Sequence, residues 1–254
     1  MDDLETWLER VYQADGDHRS LETLYDAWAR DYDQQLWASG NPYIAILTGF
    51  AGRLIQDFDA RILDAGCGTG NMAQVLCQMG YRNIDGLEPS AGMLAIAEGK
   101  KLYRQLHQLY LDSQVDLPDA SYDAIVAAGV LTHGHAPPEA LDGMLKLVRD
   151  GGVILFSLSK IAFEDMGFEQ KIAQLEAAGS WRQLDRSQLF RTYPFSAKEA
   201  HLRHWVLPAF RARTRARMLS IKIVLLGGGQ RSVTISRSDH SELVRVHSKF
   251  IFQK

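Results

Sequence analysis

The chain has 254 residues, with 28 Lys and Arg against 31 Asp and Glu, a formal net charge of −3, 46% apolar residues and 23% charged ones. That composition excludes a disordered chain, a collagen-like repeat and a coiled coil, and a chain of this length buries a full core without disulfide staples. The total hides an asymmetry, because residues 208–254 hold ten basic and two acidic residues, a net of +8, while residues 1–207 carry −11.

The N-terminus, MDDLETWLER, is acidic and lacks the basic and apolar regions of a secretory signal. Residues 3–14 and 20–38 read as amphipathic helices, the second with Ser20 as its N-cap. In it Leu21, Leu24, Tyr25, Trp28 and Tyr32 form one apolar, aromatic-rich face. After the Asn41-Pro42 break, Tyr43 to Ile55 is helical again. Arg61 to Ala65 is a short apolar strand that runs into a glycine cluster, Gly66 to Gly70. Asn71 to Met79 has helical periodicity, with Gly80 suited to the C′ position. Asn83 to Leu87 is a second strand, ending at Glu88, and Ser90 to Lys101 a helix. Gln108 to Leu111 is a third strand. Tyr122 to Val130 is a fourth, apolar on both faces as in the middle of a parallel sheet. Pro138 to Arg149 is a helix, Asp150-Gly151-Gly152 a turn and Val153 to Ser159 a fifth strand. Phe168 to Ala178 is helical, and Trp181–Thr192 and Leu202–Leu207 form a last, antiparallel pair.

Strands alternating with helices in this way predict an α/β, Rossmann-like, mostly parallel sheet with helices on both faces. Right-handed crossovers bring every strand's carboxyl end to one rim, where ligands bind. Gly66–Gly70, Glu88, Asp112 and Gly129–His133 all fall at such ends. The charge break marks a boundary near Pro208. The expected division is a helical lid or cap over 1–58, a core over 59–207 and a basic extension over 208–254. The longest charge-free stretch, Ala124 to Pro138, is too short to span a bilayer, so no membrane partner is expected. Two cysteines, Cys67 and Cys77, make no disulfide framework and point to a reducing cytoplasm.

The glycine cluster turns a strand into a helix within a few residues. Free N–H groups at the helix start suit an anionic group such as a carboxylate. Glu88 follows the next strand, where a carboxylate can accept both hydroxyls of a ribose. A dinucleotide fold wants G-x-G-x-x-G beside a pyrophosphate. Here the third glycine position, counted from Gly66, is Asn71, so the G-x-G-x-G spacing serves a nucleoside ligand without a pyrophosphate, and an NAD-dependent oxidoreductase is disfavoured.

Ile62–Gly70 (ILDAGCGTG), Gly86–Leu94 (GLEPSAGML) and Asp119–Asp123 (DASYD) resemble the class I S-adenosylmethionine (SAM)-dependent methyltransferases. Tyr25–Asp33 (YDAWARDYD), WRQL and YPFSAKEA resemble the Williams–Beuren-region methyltransferase-like branch. The resemblance spans about residues 20–207. It implies a seven-stranded sheet and SAM as methyl donor, with S-adenosylhomocysteine (SAH) as product. It also implies that Asp64 supports the glycine loop and that Gly66, Cys67, Gly68 and Gly70 line the methionine part, Cys67 as a small filler rather than a nucleophile. Glu88 and Pro89 would sit at the ribose, Met93 against the adenine, and Asp112 and Ser113 at the adenine amino group and ring nitrogen. Ala128 and Gly129 would lie beside the sulfonium. Tyr25 and Tyr32 are expected to close over SAM, where aromatic rings attract a cation.

A general base is needed only when the acceptor must lose a proton, and His133 is the candidate. His133-x-His135 lacks a third ligand nearby in sequence, as do His201 and His204, so no metal is expected. The acceptor is expected to be a small molecule. A non-catalytic SAM-binding module acting through partners, or an RNA or protein methyltransferase using the basic extension, is the alternative. Nucleic acid is expected only through residues 208–254, whose Arg211, Arg213, Arg215 and Arg217 alternate ahead of a hairpin-like stretch.

Overall fold

In the computed structural model, described residues are 2–14, 16–195, 203–212, 219–225, 229–236 and 245–248. Three helices come first: α1 (Leu4–Gln13), α2 (His18–Ala38) and α3 (Tyr43–Leu54). The alternating core follows as β1 (Ile62–Ala65), α4 (Asn71–Met79), β2 (Ile84–Leu87), α5 (Ala91–Gly99), β3 (Gln105–His107), β4 (Tyr122–Leu131), α6 (Ala140–Leu147) and β5 (Val148–Ser159). Then come α7 (Lys160–Asp165), α8 (Phe168–Ala177), β6 (Trp181–Gln183), β7 (Phe190–Arg191) and β8 (Arg203–Ala212).

The sheet order is β3-β2-β1-β4-β5-β8-β6, with β7 also on β8. The first five strands of that order pair in parallel, and β8 runs antiparallel to β5, β6 and β7. The count differs from the expected seven. Residues 181–192 do not form one strand, because Leu184 to Leu189 leaves the sheet and Asp185 ion-pairs with Arg53 of α3, so β6 and β7 meet β8 separately. Two other expectations move. The third strand lies at 105–107 rather than 108–111, an edge strand paired only to β2 and too exposed to show a buried pattern. The Asp150–Gly152 turn sits inside β5 as an irregularity opposite Tyr122 and Ala124, with Gly151 at φ 77°.

Alternation along the strands builds two cores. Leu63, Ile125, Ala127, Ile154 and Phe156 face α6 and α8, while Ile62, Ala124, Val126, Val153 and Leu155 face α3 and α4. A strand's side chains point to opposite faces in turn, so apolar runs such as AIVAA are what a sheet covered on both sides demands. Because α3 packs on the sheet, only α1 and α2 stand apart as a cap layer, around Trp7, Val11, Leu21 and Trp28. The Trp7 and Trp28 rings stack at 5.7 Å. The N-cap of α2 is Asp17, not Ser20, and its carboxylate accepts from the Ser20 amide at 2.8 Å.

β8 runs through Pro208 to Ala212, and the unit that holds the sheet ends at Arg213. The boundary expected near Pro208 therefore falls inside a strand. The second unit contains β9 (Leu219–Leu225), β10 (Gly229–Ser236) and β11 (Arg245–Ser248), an antiparallel sheet in the order β11-β10-β9. Arg213, Arg215 and Arg217 lie outside the described residues. Among the described residues no helix is long and apolar enough to cross a membrane.

Candidate functional site

The carboxyl ends of β1, β2 and β4 converge on a pocket of about 910 Å³, and α2 crosses over it. Of the residues singled out above, Tyr25, Tyr32, Gly66, Gly68, Glu88, Pro89, Met93, Asp112, Ala128 and Gly129 line it. Asp64, Cys67, Gly70, Ser113 and His133 do not.

The glycine loop has left-handed backbone at Gly66 (φ 74°), Gly68 (φ 53°) and Gly70 (φ 92°), a region that side chains disfavour. The three glycines face different surroundings. A Cβ on Gly66 would lie 2.2 Å from Val130 Cγ2, and one on Gly70 would lie 3.2 Å from the Tyr103 ring. A Cβ on Gly68 would meet nothing within 4 Å, so this is the turn's open side. Glu88 closes the loop from across the sheet. Its Oε2 accepts from the Gly68 amide at 3.1 Å and its Oε1 from the Ser90 amide at 3.0 Å. The buried carboxylate and the glycine loop it closes border the pocket side by side.

Burial pushes the Glu88 carboxyl up to about 7, against the lowering effect of its two amide donors. Asp64, behind the loop at the end of β1, is also raised to about 7 by burial, and its Oδ2 accepts from the Tyr103 hydroxyl at 2.7 Å. Both carboxyls are easier to bury protonated. Their contribution to stability is therefore full at acid pH and is lost as the pH rises through about 7. The Cys67 thiol is buried, is pushed up by burial and fills space beside Gly86, where a Cβ would come within 2.9 Å of its sulfur. It is a filler.

Asp112 reaches the pocket because its backbone leans on α6 at Gly143, where a Cβ would collide with the Asp112 carbonyl oxygen. Its Oδ1 caps the Gln114 amide at 2.7 Å, and Ser113 next to it is exposed. Gly129 (φ 76°) allows the end of β4 to pass Tyr43, whose hydroxyl would be 2.9 Å from a Cβ there.

The two histidines after β4 divide differently from the expectation. His133 points its ring at Tyr12, with centroids 6.0 Å apart, and His135 is the one in the pocket wall. His135 Nε2 lies 2.6 Å from the Tyr25 hydroxyl and its Nδ1 lies 2.9 Å from the His133 carbonyl oxygen. A carbonyl only accepts, so Nδ1 carries the proton and Nε2 accepts from Tyr25.

A row of carboxylates on α2 was missed. Glu22, Asp26 and Asp33, spaced by four and seven, lie on one helix face. Glu22 accepts from the Tyr110 hydroxyl, while His18 stacks on the Tyr110 ring at 4.1 Å. Asp26 accepts from the Ser90 hydroxyl at 2.6 Å and the Gly92 amide at 2.7 Å, at the start of α5. Asp33 accepts from Thr69 at 2.5 Å, Asn71 at 2.7 Å and Lys100 at 2.7 Å. The helix is thus pinned to the loop after β3, to α5 and to the glycine loop. The signal was present as acidic spacing, but its partners lie on three distant segments. Asp33→Ala should leave the fold intact, lower thermal stability by several degrees, roughly 1–3 kcal/mol for lost charge-assisted bonds, and speed SAH dissociation in stopped-flow measurements.

Beyond Gly129 lies a second, smaller chamber, which shares Tyr25, Tyr32, Gly129 and His135 with the first. The chain belongs to the family described as a methyltransferase domain, whose model matches residues 31–217. It is an enzyme that uses SAM as its methyl donor. Human methyltransferase-like protein 27 is 31% identical over 63% of this chain and 68% of its own length. Malonyl-[acyl-carrier protein] O-methyltransferase of Serratia marcescens is 33% identical over 49% of this chain, which spans under half, 44%, of that relative. Among solved structures, the [4+2]-cyclase SpnF superposes with a TM-score of 0.57 at 17% identity, covering 76% of this chain and 96% of the other. An S-adenosylmethionine-dependent methyltransferase from Listeria monocytogenes gives 0.52 at 14% identity over 66% and 99%. At these identities the two structures speak for the fold alone.

Proposed function

We propose that this enzyme transfers the methyl group of SAM to a small-molecule acceptor, with SAM in the larger cavity and the acceptor in the smaller one. In this reading Glu88 takes the ribose hydroxyls, the glycine loop lies along the methionine part, Met93 packs on the adenine and Asp112 meets its amino group. Tyr25 and Tyr32, on the pinned helix, lie toward the sulfonium, where an aromatic face contributes about 0.5–2 kcal/mol. SAM supplies an electrophilic methyl group on a cationic sulfur. The protein's share is alignment and exclusion of water.

The observation that carries the reading is Glu88, buried at the end of β2 and hydrogen-bonded to the glycine loop it faces. A small acceptor is favoured by the second chamber, whose described walls are mostly aromatic and aliphatic side chains. Labelled SAM incubated with the protein and a cell extract should label a low-molecular-weight fraction. Label confined to RNA or protein would shift the reading to a macromolecular acceptor, and no label at all would favour a binding module.

The raised carboxyl of Glu88 gives a pH signature. Ribose hydroxyls donate to the ionised form, so SAM affinity should fall as the pH drops below about 7, roughly tenfold per unit where one proton is exchanged. Calorimetry between pH 5.5 and 8 should show proton release on binding, and Glu88→Gln should flatten the profile. An unchanged slope in Glu88→Gln would assign the titration to Asp64.

A further inference from the structure

We propose that the second chamber takes a compact, uncharged acceptor bearing an acidic hydroxyl of phenol or enol type, and that the Tyr25–His135 pair receives its proton. The proposal rests on the methyltransferase reading above and names the acceptor class for it.

Charge argues first. Among the described residues, no Asp, Glu, Lys or Arg lines the chamber, whose walls include Tyr12, Tyr32, Tyr43, Tyr193 and Trp28. A carboxylate or phosphate acceptor would enter an aromatic space whose described walls hold no cation to offset its lost hydration. An ammonium would meet no carboxylate on those described walls and would face the positive sulfonium of the donor. A neutral, flat molecule pays neither penalty and meets ring faces on several sides.

Polar satisfaction argues second. Thr132 lines the chamber, and its Oγ1 is buried with no hydrogen-bond partner among the described residues. A buried hydroxyl left unpaired is costly, and an acceptor with a polar edge would satisfy it.

Proton handling argues third. The tautomer of His135 is fixed by the His133 carbonyl, so Tyr25 donates to Nε2 and keeps its oxygen lone pairs for an incoming O–H. Both residues line both cavities, which places the pair where donor and acceptor meet. Burial lowers His135, so the ring is neutral at pH 7 and available as a base. Around it, Tyr12, Tyr25, Tyr32, Tyr43 and Tyr193 are held protonated by burial, and His204 is pushed down to about 4 by burial and then by His135. A base this weak matches a phenolic or enolic proton, not that of an aliphatic alcohol. The transfer balances. The acceptor oxygen gains a bond to the methyl carbon as the carbon–sulfur bond breaks, and the donor leaves as the neutral thioether SAH. The acceptor's proton moves to the Tyr25 oxygen while the proton of Tyr25 moves to Nε2, leaving an imidazolium that later discharges to water.

The full-length protein loaded with SAH should bind p-cresol at least tenfold more tightly than benzoate or benzylammonium, three probes of similar size and different charge, by calorimetry at pH 7. Leu36→Trp, which fills the chamber from a position outside the cofactor pocket, should abolish p-cresol binding and leave SAH affinity within twofold. With labelled SAM, p-cresol should be methylated, and His135→Gln should slow turnover at least fiftyfold while p-cresol affinity stays within threefold. Equal or tighter binding of a charged probe, no p-cresol binding, survival of binding in Leu36→Trp, or unaltered turnover in His135→Gln would each overturn the proposal. Failure to bind SAH would instead sink the methyltransferase reading, and this proposal with it.

Discussion

Replacing Glu88 with Ala should raise the dissociation constants for SAM and SAH by roughly a hundredfold or more. A ribose held by two charge-assisted hydrogen bonds loses about 3 kcal/mol when the carboxylate goes, and each 1.4 kcal/mol is a factor of ten. The fold should survive, because Glu88 is a burden on the ligand-free protein. Its carboxyl is buried, raised to about 7 and flanked by the charges of Asp64 and Asp26. The amides of Gly68 and Ser90 that it releases border the pocket, where water can replace it. Calorimetry and thermal melting on the same sample separate the two effects. Loss of affinity with a melting temperature within a few degrees of wild type is the expected result. Unchanged affinity would remove the ribose from Glu88.

The second large effect divides two glycines two residues apart. Gly66→Ala should destabilise the protein by about 2–4 kcal/mol, since the new methyl would need left-handed backbone and would collide with Val130 on β4. Gly68→Ala has the same backbone strain, about 1 kcal/mol, and no collision. Its methyl instead projects into open space at the pocket wall, so its expected cost falls on SAM affinity. Denaturant titration checks the first and calorimetry the second. Equal stability losses for the two variants would mean that the loop is uniformly tight rather than packed on one side and open on the other.

The parts of the fold that were legible in the sequence are those fixed by short-range patterns. Tyr122 to Val130 and Val153 to Ser159 had to be covered on both faces, because every position except Asp123 is apolar or small, and they are the centre of the sheet. The glycine loop and Glu88 were legible because a sharp turn and an acid at a strand end leave residue-level marks. The misplaced elements are those whose position is set by partners. β3 is an exposed three-residue edge with no pattern to read, and β8 continues past Pro208 because β5 and β6 offer it hydrogen bonds. His133 and His135 differ by two residues in a loop, where no periodicity says which ring turns inward. The acidic row on α2 has no partner close in sequence. Only the packing of α2 over the strand ends turns Asp26 and Asp33 into clamps.

The most direct test of the central claim is a crystal structure of the protein with SAH. Density is expected in the cavity between the glycine loop and α2, with both ribose hydroxyls within hydrogen-bonding distance of the Glu88 carboxylate and the sulfur facing Gly129 and the aromatic chamber. SAH bound elsewhere, or seated in that cavity with its ribose turned away from Glu88, would contradict it.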